Sequence, residues 1–248
     1  MILRVEDLVV AYGKKRIVHD VNFSVKRGEI LIIAGESGSG KSTILKTIDG
    51  LLGKGGAIVD GQIFFDGKEI TNLPDDERRK ISGEAIGIIF QNAGASFCPI
   101  RTIGEQIFES VRAHRDWDKK LFRDRAEVIM QKINLAPEIL DEYPFRLSGG
   151  MAQRAGILAA TILEPKLLLA DEPTSALDIV TQAGVVEVLL NLKISIVLVT
   201  HDLRIARRMA DKILIMKHGA PVELGTREQI FNAPRKLYTQ ELLRAANL

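Results

Sequence analysis

Apolar and polar positions alternate from Ile2 to Phe65 in the short rhythm of extended chain. Leu3-Val5 and Leu8-Val9-Val10 read as short strands, and Val21-Phe23-Val25 keeps a period of two before Lys26-Arg27-Gly28 turns the chain. Ile30-Leu31-Ile32-Ile33-Ala34 is an apolar strand that reopens as a helix at Thr43-Ile44-Leu45-Lys46. Gly50, Gly53, Gly55 and Gly56 then break the pattern, and Gly61-Gln62-Ile63-Phe64-Phe65 reads as a strand closing in an Asp66-Gly67 turn. Ile86-Gly87-Ile88-Ile89-Phe90 is a further buried strand, ending at Gln91. From about Thr102 to Leu163 the spacing is helical, as in Leu121 to Met130, with Tyr143-Pro144-Phe145 as an interruption. Strand and helix then alternate again: Leu167-Leu168-Leu169-Ala170, a helix from Val180 to Leu192, and the β-branched run Ile194 to Val199. Such alternation predicts an α/β fold with a parallel sheet and helices on its faces. There is no internal repeat and no low-complexity linker.

Composition narrows the picture. With 248 residues, 46% hydrophobic and 27% charged, the chain has the profile of a soluble globular protein, one α/β domain with a smaller lobe. Its 34 basic and 32 acidic residues leave a net charge of +2, so charge alone implies neither a nucleic-acid nor a membrane partner. Cys98 is the one cysteine, which forbids an internal disulfide and points to a reducing cytosol; its Phe-Cys-Pro loop leaves a reactive thiol open, with a small, semi-buried residue the expectation. Met1 to Leu8 reads as a strand broken by charges rather than a signal peptide. No stretch approaches the roughly 18 apolar residues of a membrane span, so another chain would have to do any crossing.

The strand at Ile30 leads into Gly35-Glu36-Ser37-Gly38-Ser39-Gly40-Lys41-Ser42, the phosphate-binding P-loop pattern in the strand–loop–helix context it requires. Gly35, Gly38 and Gly40 let the backbone curl around an anion, and the loop N–H groups and helix N-terminus present positive charge to it. Lys41 supplies a full charge to the β- and γ-phosphates, and the Ser42 hydroxyl can ligate Mg²⁺. The expected ligand is a nucleoside triphosphate.

Two further segments carry chemistry. Leu167 to Ala170 ends in Asp171-Glu172, two carboxylates at the C-terminal edge of a strand, where open α/β sheets place ligands. Asp171 suits the Walker-B role of holding Mg²⁺, and Glu172, pointing another way, suits polarising the attacking water. Leu147-Ser148-Gly149-Gly150-Met151-Ala152-Gln153 reads as an N-cap with an exposed helix N-terminus: taken alone a plain glycine-softened helix start, otherwise a second anion site in a chain that already has one.

Together these segments resemble the nucleotide-binding subunits of ATP-binding-cassette (ABC) proteins, over nearly the whole chain and in the family's order: P-loop, Gln91, signature, Walker B, His201. The resemblance implies a RecA-like P-loop NTPase core with a mostly parallel sheet, an N-terminal antiparallel β-subdomain and a helical subdomain. It makes residues 1–248 a single domain, with 1–91 and 164–248 as core and about 92–163 as the helical part. It implies a head-to-tail dimer in which Leu147, Ser148, Gly149, Gly150 and Met151 of one subunit meet the γ-phosphate on the other's P-loop, Gly35 to Thr43. Each nucleotide then lies between two chains. By the same resemblance, Tyr12 stacks on adenine, Gln91 senses Mg²⁺ and water, and Ser175-Ala176-Leu177-Asp178 forms the D-loop at the dimer interface. His201 contacts the γ-phosphate. ATP and Mg²⁺ are the implied cofactors, with Ser42, Gln91 and Asp171 around the metal.

A single P-loop, no long heptad array between Ser42 and Ser148 and no basic footprint favour a transporter subunit over a soluble ABC ATPase acting on nucleic acid or protein complexes. An unrelated P-loop kinase or GTPase would lack the signature. A free-standing cassette resembles importers. Phe90-Gln91-Asn92, Ser96-Phe97-Cys98-Pro99, Thr102-Ile103-Gly104-Glu105-Gln106, Tyr143-Pro144-Phe145 and the tail Phe231 to Thr239 resemble the oligopeptide, dipeptide and nickel importer branch. Where the branch often has His-Pro before Tyr-Thr, this chain has Lys236-Leu237; some branch members carry a cysteine-rich C-terminal extension, and this sequence stops at Leu248 without one, which resembles nickel-type more than peptide-type subunits. The partners implied are a second, identical or different, ATPase chain, membrane permease subunits docking near Gln91 to Arg101, and indirectly a substrate-binding protein. No nucleic acid is implied. The expected location is the cytoplasmic face of the membrane, with peptide or nickel as cargo.

Overall fold

The computed structural model describes residues 1–175 and 177–248. The chain opens with β1 (Leu3–Tyr12), β2 (Lys15–Val25), β3 (Ile30–Gly35), α1 (Lys41–Asp49), β4 (Gly56–Phe65), β5 (Lys68–Glu69) and α2 (Asp75–Ile81). Its middle holds β6 (Ile86–Ile89), α3 (Ile103–Arg112), α4 (Lys119–Lys132), α5 (Gly149–Thr161), β7 (Leu167–Asp171) and α6 (Ile179–Asn191). It closes with β8 (Ser195–Thr200), α7 (Leu203–Met209), β9 (Lys212–Lys217), β10 (Ala220–Thr226), α8 (Arg227–Asn232) and α9 (Leu237–Ala245). These elements group into two compact units, residues 1–78 with 194–248, and residues 79–193.

The first unit contains an antiparallel sheet in the order β2-β1-β4-β5. β1 is one strand where the sequence suggested two pieces. Asp7 takes a left-handed φ of 48°, and the register slips on both sides of it, between Val5 and Leu8 against β2 and between Glu6 and Val9 against β4. Asn22 seals this bulge, accepting the Asp7 N–H at 2.9 Å and donating to the Asp7 carboxylate at 3.0 Å. The charges in the middle of the segment therefore mark a bulge, not an end. The Asp66-Gly67 turn joins β4 to β5 as expected, with Phe65 opposite Lys68.

In the same unit β3 lies between β8 and β9, parallel to both, with Ile30 opposite Ile196 and Leu31 opposite Lys212. Every residue of β3 and of β8 is buried, as parallel strands covered on both faces must be. Each buried Ile, Leu or Val contributes about 1.5–3 kcal/mol, so these strands anchor whatever loops leave their ends. β9, the antiparallel β10 and helices α8 and α9 complete the unit; the sequence reading did not anticipate them as elements.

The second unit holds β6 and β7 in parallel, Ile86 opposite Leu167 and Ile89 opposite Ala170. Its helices start at polar caps: Thr102 with Glu105 in a capping box, Asp118, Ser148 and Asp178. Such caps stabilise by about 1 kcal/mol each. Phe108 and Phe122, 5.2 Å apart, join α3 to α4. Helix α5 packs on the turn at residues 93–96 through small residues: a methyl added to Gly156 would fall well under 3.0 Å from Ala93 Cβ. Cys98 is exposed rather than semi-buried. The side chain of Gln106 accepts the Cys98 N–H at 2.7 Å and donates to the carbonyls of Cys98 and Arg101 at 3.1 and 3.0 Å, holding that loop on the surface. Among the described residues no helix is long and apolar enough to cross a membrane.

Candidate nucleotide site

The P-loop leaves the buried end of β3. Gly35 stands at φ 148° opposite Met216, and a Cβ there would fall well under 3.0 Å from the Met216 carbonyl oxygen. Gly38, at φ 79°, has open space where its Cβ would lie. Gly40 caps α1 without a side-chain bond, and the first turn of α1 carries no acidic residue, so its positive end is left for a ligand. Lys41 is 5% exposed, and its ammonium donates to the carbonyls of Gly35 at 2.9 Å and Glu36 at 2.7 Å. The Ser39 hydroxyl is buried without a hydrogen-bond partner. A loop entry at Gly35 with no room for a side chain, an orphaned Ser39 hydroxyl and a buried cation fit a polyphosphate. Glu36, Ser37 and Gly38 are exposed at the mouth, and Ser42 and Thr43 are half-buried in the first helical turn.

β8 runs beside β3 with Thr200 opposite Ala34, so His201 and the P-loop leave the same edge of the parallel strands. His201 is exposed. Its neighbour Asp202 donates its N–H to Thr200 Oγ1 at 3.0 Å and caps α7, accepting from the Arg204 backbone at 2.9 Å and its guanidinium at 3.0 and 2.8 Å. The hydrogen bonds from the Arg204 side chain, ahead of its backbone bond and charge, hold the Asp202 carboxyl below the usual carboxylate range. Tyr12 ends β1; its hydroxyl donates to Leu52 O at 2.8 Å and one ring edge closes on Gly56, leaving the ring half-exposed.

The remaining candidates lie in the second unit. Asp171 is 8% exposed at the end of β7. Glu172 follows at a left-handed φ of 45°, its carbonyl pinned by the N–H of Ser175 at 3.1 Å and the Ser175 hydroxyl at 3.0 Å. This sharp turn holds Glu172 in a strained backbone directly after the buried Asp171. The parallel register of β6 and β7 brings Gln91 to the same strand edge. Ser148 caps α5, accepting the Met151 N–H at 3.3 Å, with Ser148 and Gly149 exposed. A methyl on Gly149 would lie 3.4 Å from Leu177, and one on Gly150 2.6 Å from Thr181, so the signature turn packs on the segment that begins α6. Asp178 caps that helix, and its bonds from Thr181 side chain and backbone keep its carboxyl below the ordinary range. Ala176, the remaining D-loop position, lies outside the described residues.

Residues 18–175 match the family model described as ABC transporter. The chain belongs to the ABC transporter family. The cassette is 41% identical to the dipeptide transport ATP-binding protein DppD of Escherichia coli over 254 residues, 98% of this chain and 78% of DppD. It is 39% identical to the metal-staphylopine import ATP-binding protein CntD of Staphylococcus aureus, covering 92% of this chain and 86% of CntD. Among solved structures it resembles the dimeric cassette MJ0796 in a post-hydrolysis state with ADP and Pi, at TM-score 0.80 and 29% identity over 91% of this chain and 98% of that one. CbiO1 of Clostridium perfringens, part of the CbiONQ transporter complex, gives TM-score 0.81 at 28% identity over 99% and 94%. The cassette therefore has the P-loop ATPase fold, and ATP is its nucleotide.

The structure gathers the P-loop and His201 in one unit of the cassette, and Gln91, the signature, Asp171, Glu172 and the described D-loop residues in the other. One participant in the P-loop's surroundings escaped the sequence reading: the Met216 carbonyl, which forbids a side chain at Gly35, belongs to a strand that was not read.

Proposed function

We propose that this cassette drives uptake of peptides or metal chelates, nickel included, as the ATP-hydrolysing subunit of an importer whose membrane spans are separate chains. The observation that carries the cargo class is identity near 40% with DppD, with the oligopeptide transport protein AppD of Bacillus subtilis and with CntD, over 92–98% of this chain. The cassette acts as a single domain, its helical part at about 92–163, in a head-to-tail pair with an identical or related chain. Its place is the cytoplasmic face of the membrane, with a substrate-binding protein delivering cargo to the permease. The reading as a nucleic-acid machine finds no support in a net charge of +2.

The residue roles follow from the chemistry above. Lys41 releases the Gly35 and Glu36 carbonyls to meet phosphate oxygens, joined by loop N–H groups and the Ser39 hydroxyl. The Ser42 hydroxyl and Asp171 carboxylate, with Gln91, are hard oxygen donors suited to Mg²⁺, which when bound neutralises charge on the β- and γ-phosphates. Glu172 accepts a proton from the attacking water, His201 fixes the γ-phosphoryl position, and Tyr12 stacks on adenine. Leu147 to Met151 of the paired chain present helix N–H groups to the same phosphate, across an interface that includes Ser175 to Asp178. A cavity of about 550 Å³, lined by Phe90, Ala93, Phe97, Gln106 and Gly156, adjoins the Gln91–Arg101 segment proposed to receive the permease.

The test is uptake of labelled dipeptide, oligopeptide and nickel, with and without chelator, in a strain lacking this chain. Loss of one class, restored by the wild-type gene but not by Lys41→Ala, is expected. Uptake of all three unchanged by the deletion refutes the reading.

A further inference from the structure

The glycine-rich break at Gly50 to Gly56 runs from the end of the P-loop helix to the strand that pairs with Tyr12. Helix α1 stops at Asp49, and the Leu51 N–H closes it on the Lys46 carbonyl at 2.6 Å. From outside, the Arg78 guanidinium donates to the Ile48 carbonyl at 2.9 Å and also to the Ile70 carbonyl, so the helix end is fixed before the loop begins. The loop then returns to β1. Gly13 donates its N–H to the Gly55 carbonyl at 3.0 Å, and Gly56, the first residue of β4, lies opposite Tyr12.

Two contacts hold the Tyr12 side chain on this loop. Its hydroxyl donates to the Leu52 carbonyl at 2.8 Å. A methyl on Gly56 would lie 2.9 Å from Tyr12 Cε1, 2.9 Å from Leu52 Cβ and 3.0 Å from the Leu52 carbonyl oxygen. Gly56 does not stand at a positive φ, so the position demands space rather than backbone freedom. A side chain that must stop rotating in order to stack on a base loses that freedom on binding, which weakens affinity by a factor of about two to ten. Tyr12 has lost it beforehand: tip and edge are both held, and the ring stays half-exposed. We propose that Leu52 and Gly56 are positioning residues for adenine. The Leu52 carbonyl and the absent side chain at Gly56 preset Tyr12 as a platform, so the loop that leaves the P-loop helix contributes to recognition of the base. This rests on the reading of Tyr12 as the adenine-stacking residue and adds the parts that hold it.

The test uses the full-length chain with Mg²⁺: calorimetric titration with ATP, steady-state hydrolysis, and tripolyphosphate, which has no base, as a competitor of hydrolysis. Gly56→Ala is expected to raise the ATP Kd and KM about fivefold, with kcat and the tripolyphosphate Ki unchanged. Tyr12→Phe, which keeps the stacking face and loses only the Leu52 bond, should raise the ATP Kd about threefold, again with the Ki unchanged. In a Tyr12→Ala background, itself about tenfold or more weaker for ATP, Gly56→Ala should do nothing further, because no ring remains to be displaced. A tripolyphosphate Ki that rises together with the ATP Kd would mean that α1 and its phosphate cradle have loosened, and that result overturns the proposal. So does a Gly56→Ala loss that persists in the Tyr12→Ala background. A Gly56→Ala chain that binds ATP like wild type overturns it too, while a weakened Tyr12→Ala chain leaves the adenine reading standing. Tyr12→Ala binding ATP as tightly as wild type would remove that reading and this one together.

Discussion

Gly35→Ala and Gly38→Ala alter the same motif, yet the structure separates them sharply. At Gly35 the new methyl falls well under 3.0 Å from the Met216 carbonyl oxygen, 3.1 Å from its carbonyl carbon and 3.3 Å from Ser39 Oγ. The obstacle is backbone in a paired strand, which cannot rotate aside. Overpacking of this kind costs about 1–3 kcal/mol, and a φ of 148° foreign to L-residues adds about 1–3 kcal/mol. At Gly38 the methyl enters open space, so only the left-handed φ of 79° is charged, about 1–2 kcal/mol. For a chain this size, about 2–4 °C per kcal/mol translates these into a Tm loss of roughly 5–20 °C for Gly35→Ala and about 2–8 °C for Gly38→Ala. Thermal unfolding by circular dichroism without nucleotide measures both, and ATP titration should show Gly35→Ala binding more weakly as well. Two variants that melt together would refute the close approach of β9 to the loop.

Glu172→Gln should keep ATP affinity within about twofold while phosphate release falls by about 100-fold or more, since an amide cannot take the water's proton; undiminished hydrolysis would remove Glu172 from the role. Asp202→Ala should cost about 1 kcal/mol at pH 7, from the lost α7 cap. Because the Asp202 carboxyl sits below its unfolded value near 4, its contribution is present above that pH and disappears as acidification passes the folded value. The Tm gap between wild type and variant should accordingly narrow as the pH falls further below about 4, and a gap constant with pH would contradict the Arg204 bonds.

Legibility followed the range of the forces involved. Gly35 to Ser42, the Ser148 cap and the Asp171-Glu172 pair were readable because each is a local arrangement whose chemistry lies in neighbouring residues. The Asp7 bulge was not, since its left-handed backbone is held by Asn22 on the next strand. Cys98 was expected to be semi-buried, as a lone cysteine usually is; its exposure is set by the side chain of Gln106 on α3. β9 carries an apolar run, Ile213 to Met216, that pattern alone would have supported, whereas β10 begins with Ala220-Pro221 and reads weakly as an edge strand. Tyr238 was visible as a motif residue and opaque as the ring beneath the Lys217 ammonium, because the two lie apart in the chain.

The tight seat of Ala93 on Gly156 has a mechanical meaning. Two surfaces that meet without even a methyl's clearance have no backlash, so the 93–96 turn and α5 travel as one body. The end of that body bearing Ser148 is the end proposed to touch fuel, and the turn lies two residues past Gln91. Pressure applied at the turn by a bound permease would therefore be felt at the helix tip undamped, and enlarging Gly156 would wedge this lever open rather than merely weaken it.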